Sequence, residues 1–300
     1  MDPGASPRLA IILPLAAMVA AMASFQVGAA LAKGLFPAVG PVGAATLRLC
    51  LGAVILLAIA RPWRDWPRPA PLLPLAGLGV AMAGGIVFFY LALSRLPQGV
   101  AITLQFLGPL AVAIVGSRRP IDLVWVALAA LGVWRLAGTG HAGAALDPLG
   151  VAWALGAAVS WASYILCGRA AGATFGRSAA ALAVSLAAVL AAPVGFWQAG
   201  WALVSPSLLP LALLVALVAA ALPFSLELYA LPRLPARTFA VFTSLEPAFG
   251  VASGAALLGE RLSLGQVGGV AAVIVAAAGA AWSSHRAGPV PAPITEAPPT

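Results

Sequence analysis

An all-α membrane protein of ten transmembrane helices, arranged as two inverted five-helix repeats, is the fold this sequence predicts. Three observations predict it. Ten stretches are each long and apolar enough to cross a bilayer, whose hydrocarbon core of about 30 Å takes roughly 20 apolar residues as helix. Charged residues make up 8% of the chain and hydrophobic ones 62%, whereas a soluble domain is about a quarter charged. Residues and short motifs recur between the two halves at nearly the same spacing.

The spans fall at about 10–32, 39–60, 71–93, 98–116, 121–138, 149–168, 177–198, 207–230, 237–258 and 263–283. The first follows Arg8 and ends before Lys33. Residues 1–23 also fit a signal peptide, with a small-residue site at Ala21-Met22-Ala23, but an even number of spans keeps both termini on one side only if the first is retained. The second ends at Arg61, and the third stops at Arg95-Leu96-Pro97. The fourth carries Pro109 and ends before Arg118-Arg119; the fifth leads to the loop around His141. The sixth ends at Arg169, the seventh starts at Arg177, and the eighth stops at Arg233-Leu234-Pro235. The ninth carries Pro247, and the tenth leads into a tail rich in Pro and Ala. The domains are then a cytoplasmic N-terminus (1–9), a first repeat (10–140), a second repeat (146–284) and a disordered cytoplasmic tail (285–300).

The net charge of +8 does not signal nucleic acid, because the charges are scattered through loops and form no single basic face. They follow the positive-inside rule instead. With the N-terminus inside, eleven cations lie in inner loops, and four, Lys33, Arg95, Arg135 and Arg261, lie outside. Both termini are therefore expected in the cytoplasm. Arg outnumbers Lys 15 to 1 and Asn is absent, a bias of GC-rich bacterial genomes. Cys50 and Cys167 both fall in spans without metal or redox spacing and read as small packing residues.

Arg95-Leu96-Pro97 matches Arg233-Leu234-Pro235 at a shift of 138, and Pro109 falls on Pro247 at the same shift. Ser24 falls on Ser160 and Lys33 on Arg169 at a shift of 136. Five spans is an odd number, so the second half enters the membrane from the opposite side. Inverted repeats around a midplane site are a recurring plan of secondary transporters. Matched positions read as scaffold: Lys33 and Arg169 as cations reaching the interface at a helix end, Pro109 and Pro247 as helix breaks that free a carbonyl four residues back. Gly250 with Gly254, and Gly265 with Gly269, have the small-residue spacing of close helix packing, within the chain or across a homodimer.

Three ionisable residues within spans have no ionisable mate: Arg48, Glu227 and Glu246 fall near Val184, Phe89 and Gly108. A charge at the bilayer centre costs at least ~2.5 kcal/mol and marks a functional site by default. Arg48 is about nine residues, or roughly 13 Å, from the outer end of its span, and Glu246 is as deep from the inner end. The bland alternative is that these two pair as structure. Glu227 lies near the inner end, by Arg233 and Arg237, where it can reach the interface. Tyr90, Gln105, Trp161, Tyr164 and Ser244 lie at similar depths; Trp161 and Tyr164, three apart, share a helix face. Each alone is as consistent with helix–helix contact as with a ligand. Gln105 occupies the position whose carbonyl Pro109 frees. Arg48, Glu246, Gln105, Tyr90, Trp161, Tyr164 and Ser244 are thus the candidate substrate site, with Glu246 and Glu227 as ion-coupling groups.

No phosphate-binding loop, nucleophile elbow or H-E-x-x-H motif is present, and no catalytic residue, metal or cofactor is expected. Without a nucleotide-binding module, uphill transport requires an ion gradient.

The chain resembles the drug/metabolite transporter superfamily in its ten-span form with two EamA-type repeats, and is similar to the threonine/homoserine exporters of bacterial inner membranes. The residues carrying this are Ala21-Met22-Ala23-Ser24, Gly28 to Lys33, Thr46-Leu47-Arg48-Leu49, Gly108-Pro109-Leu110-Ala111-Val112-Ala113 and Ser117-Arg118-Arg119-Pro120 through Trp125. They continue with Ala221-Leu222-Pro223-Phe224-Ser225-Leu226-Glu227, Arg233 to Phe239 and Glu246-Pro247-Ala248. The resemblance implies export of small amino acids by proton exchange. One departure stands out: the family often has Glu in the fourth span where this chain has Gln105. A proton carried there in relatives is here left to Glu246 or Glu227. A transporter of other metabolites or drugs, and a membrane scaffold without transport, are the rival readings.

Overall fold

A computed structural model of the chain describes residues 7–64, 71–117, 120–138, 146–230 and 233–284. These residues are helical and turn-forming, with no strand among them. The predicted tail and His141 lie outside the described residues. Among the described residues, eight stretches are long and apolar enough to cross a membrane. The first, Ile12–Ala60, has 49 residues and holds two predicted spans: α1 (Pro7–Ala32), a tight turn at Lys33–Leu35, and α2 (Phe36–Ala60). Gly40, at φ 68°, kinks α2 just before Pro41, a left-handed position that suits only glycine. Helix α6 (Asp122–Gly138), over the fifth predicted span, has 17 residues.

α3 (Leu72–Leu93) runs unbroken, whereas the fourth predicted span is two helices, α4 (Gln98–Gln105) and α5 (Leu107–Ser117). α7 (Pro148–Phe175) and α8 (Ala179–Ala199) follow. The eighth predicted span is α9 (Leu209–Ala216), a π-helical turn at Leu217–Ala221, and α10 (Leu222–Ala230). The ninth is α11 (Ala236–Thr243) and α12 (Glu246–Leu258); α13 (Leu264–Ser284) closes the fold.

Prolines explain most of these boundaries. Pro97 and Pro235 cap α4 and α11 with nearly the same backbone, φ −55° in both and ψ 142° and 137°. Leu96 and Leu234 each donate to a carbonyl four residues back, on Ala92 and Ala230. Beside Pro109 and Pro247, read as helix breaks, the helix divides, at Phe106 and at Ser244–Leu245, and each proline sits in the first turn of the next segment, where an absent N–H costs nothing.

Packing runs mainly between the first and second halves of the chain. α3 lies along α7, α2 along α8, α6 along α13, α4 against α12, and α1 against α10 and α12. The Thr46 hydroxyl donates to the Ala191 carbonyl at 3.2 Å, joining α2 to α8. Gly250 faces Ile102 and Gly99 of α4, and a Cβ there would lie 2.5 Å from the Ile102 side chain. This small-residue stripe is therefore used within the chain. The outward faces are apolar: Val115, Trp197 and Leu264 are 77%, 88% and 93% exposed, as on a surface that meets lipid chains.

Candidate functional site

Arg48 of α2 is 8% exposed and Glu246, the first residue of α12, 6%. The Arg48 Nη2 donates to the Ala219 carbonyl at 2.8 Å and its Nη1 reaches the Tyr90 hydroxyl at 3.4 Å. Its guanidinium stands over the rings of Tyr90 and Phe25, 5.6 and 6.0 Å from their centroids. The Ala219 carbonyl is open because Pro223, four residues on, has no N–H to give it and the helix widens there into the π turn. In the same turn the Val218 carbonyl accepts the Ser24 hydroxyl at 2.5 Å. Gly28 lets α1 reach this turn: a Cβ there would lie 2.5 Å from the Ala219 Cβ.

Glu246 is held differently. Its Oε1 accepts from the Gln26 Nε2 at 3.0 Å. Gln26 in turn accepts from Gln98, whose Nε2 lies 2.9 Å from the Gln26 Oε1, 2.7 Å from its backbone carbonyl and 2.9 Å from the Ser253 Oγ. The Gln98 backbone N–H donates to Glu260 at 2.7 Å, and Glu260 pairs with Lys33 at 2.8 Å. A polar line thus runs from Glu246 to the end of the bundle where α1 ends and α13 begins.

Arg48 and Glu246 do not form a direct ion pair, which corrects the bland reading of them, although each lies within electrostatic range of the other. Glu227 of α10 does not pair with Arg233, which donates to the Tyr229 carbonyl at 2.7 Å and stacks on its ring. Instead Glu227 faces inward, within range of Glu246 and Tyr164. Trp161 packs on Phe106 at 6.0 Å, at the division between α4 and α5, and on Tyr164 at 6.5 Å. Gln105 is 3% exposed and its Oε1 has no hydrogen-bond partner; neither does the buried Arg48 Nε. Ser244 is buried but gives its hydroxyl to the Val241 carbonyl at 2.6 Å, so its donor is used within its own helix. Lys33, read as a scaffold cation like Arg169, is instead the partner of Glu260.

Sequence reasoning passed over Gln98, Glu260 and the π turn. Gln98 and Glu260 sit at span ends, where polar residues are unremarked. The π turn had a signal, since the proline rule applied to Pro109 points equally from Pro223 to Ala219.

Arg48 thus keeps an unused donor beside Phe25 and Tyr90, Glu246 is an anion beside Gln26, and Gln105 keeps an unused amide acceptor next to Phe106, on which Trp161 packs. Residues 148–282 match the EamA-like transporter family. The threonine/homoserine exporter RhtA of Escherichia coli strain K12 is 46% identical over 284 residues, covering 95% of this chain and 96% of that protein. RhtA of Salmonella typhimurium strain LT2 is 45% identical over the same coverage. This chain belongs to the EamA-like transporter family. A solved crystal structure with 19% sequence identity superposes at a TM-score of 0.58, over 92% of this chain and 98% of that one, and shares the fold.

Proposed function

We propose that this transporter exports threonine, homoserine and similar small amino acids from the bacterial cytoplasm across the inner membrane in exchange for protons. The observation that carries the substrate is the end-to-end likeness to proteins named threonine/homoserine exporters. The site supports it: an amino acid presents a carboxylate to Arg48 and an ammonium to Glu246, and each has a protein contact that substrate can replace. Gln105 cannot carry a proton, so Glu246 and Glu227 are the coupling carboxylates. Burial makes unpaired charges costly, which favours filling Glu246 with either a proton or an ammonium.

Ten crossings as two inverted repeats, with both termini cytoplasmic, complete the reading. The cross-half pairing of helices supports it, for α1 on α10 and α7 on α3 are equivalent under exchange of the halves. Alternating access then follows from rocking one half against the other.

Counterflow of labelled L-threonine in proteoliposomes tests the function. Exchange should be saturable, and uphill efflux should stop when the proton gradient is collapsed. Efflux that follows ATP alone refutes antiport, and no flux favours a scaffold. Reporter fusions after residues 145 and 284 should report outside and inside respectively; an external C-terminus refutes the inverted repeat.

A further inference from the structure

On the face that the charge bias places outside lies a second group of opposed charges. Lys33 after α1 and Glu260 after α12 meet at 2.8 Å, with side chains 24% and 15% exposed. They line an open cavity of about 570 Å³, together with Ser94, Arg95 and Pro97. Glu260 is fixed in place: its Oε2 takes the Gln98 backbone N–H at 2.7 Å and its own N–H reaches the Gly254 carbonyl at 3.0 Å. Gly254 has no Cβ, which leaves room for the Glu260 carboxylate. Arg95 brings a second cation, tied at 2.6 Å to Asp147.

The ion pair stands at the wall of this cavity, so a ligand carrying both charges can reach it and take its place. The two groups are also the complement of an α-amino acid, whose ammonium and carboxylate flank one carbon. We propose that Lys33, Glu260 and Arg95 form an exit site for a zwitterionic α-amino acid, separate from the Arg48–Glu246 cluster. The ammonium displaces Lys33 from Glu260, while the carboxylate takes Lys33 and Arg95. Because Lys33 and Glu260 come from opposite halves of the chain, an arriving amino acid also parts a contact that ties the halves together. Gln98 connects the event to Gln26, and so to Glu246.

The choice of threonine as probe rests on the exporter reading; the site rests on the cavity and its charges. Ser94→Cys, in a Cys50→Ala/Cys167→Ala background, places a thiol on the cavity wall for a membrane-impermeant maleimide in intact cells. External L-threonine should slow labelling, roughly tenfold at ten times its half-protecting concentration. Threonine methyl ester and N-acetylthreonine, each lacking one charge, should protect far less. Glu260→Gln should abolish protection while leaving the unprotected labelling rate unchanged. Should that variant fail to insert, Arg95→Gln should raise the half-protecting concentration. Protection that survives these changes, or equal protection by the ester, overturns the exit site. Threonine counterflow without protection overturns the exit site alone. Protection without counterflow overturns the exporter reading and leaves the exit site standing.

Discussion

The helix divisions at Phe106 and Ser244 differ from the π turn at Leu217–Ala221 in origin and in use. The two divisions stand 138 residues apart, each three residues before a proline. The π turn has no counterpart. The position 138 residues before Pro223 is Gly85, and α3 runs through it unbroken. The matched divisions set side chains in place, Gln105 before one and Glu246 after the other. The unmatched turn offers carbonyls instead, to Ser24 and Arg48. A device present in both halves shapes a scaffold. A device present in one half sets that half apart, an asymmetry that fits the proposed substrate with its two unlike ends.

The largest effect should come from the residue that uses the unmatched turn. Arg48→Gln should reduce threonine counterflow to the level of empty vesicles with the protein still inserted. A charge-assisted hydrogen bond is worth about 1.5–3 kcal/mol, and the variant loses one to Ala219 as well as the substrate's cation. Because Arg48 and Glu246 are not directly paired, Arg48→Gln with Glu246→Gln should be equally inactive. Normal counterflow by the double variant would refute the site assignment.

A smaller effect should separate the prolines. Pro223→Ala gives residue 223 an N–H that competes with Arg48 for the Ala219 carbonyl. Transport should fall roughly tenfold, the scale of one net hydrogen bond. Pro109→Ala and Pro247→Ala act in first helical turns and should cost about twofold or less. Equal losses at all three positions would mean that the π turn is no different from the matched divisions.

The smallest effect is expected at the rim. Arg95 beside Asp147, with the Leu149 N–H, holds that exposed carboxyl below the usual carboxylate range. The sign follows from the direction: the contribution is present above the unfolded value of about 3.9 and disappears as pH falls through the lower folded value. Asp147→Asn should therefore lower thermal stability in detergent slightly at pH 7, with the difference from the unaltered chain disappearing below about pH 4. A large loss at neutral pH would show the rim to be structural.

The helical membrane architecture was legible because apolar length is a strong signal. Arg48 and Glu246 were legible because a deep charge is expensive wherever it sits. Lys33 ends the first helix as read, but its partner Glu260 was not legible, because it lies 227 residues away. Gln98, fully buried, is neutral and opens a span, so nothing local sets it apart. Trp161 and Tyr164 share a face as their spacing indicates, but only the fold brings Phe106 to that face. Ser244 is buried, yet its hydroxyl turns back to its own helix, a choice no spacing encodes.

The pairing of α2 with α8, α3 with α7 and α6 with α13 also dictates an order of assembly. During synthesis the early helices leave the ribosome first, while the surfaces they need belong to segments not yet made. α6 waits for the final helix of all. The nascent protein is therefore an inserted but loosely packed chain for most of its translation, open to membrane proteases until its last residues arrive. Truncation just before α13 should for that reason cost the cell the whole protein, and not one helix of it.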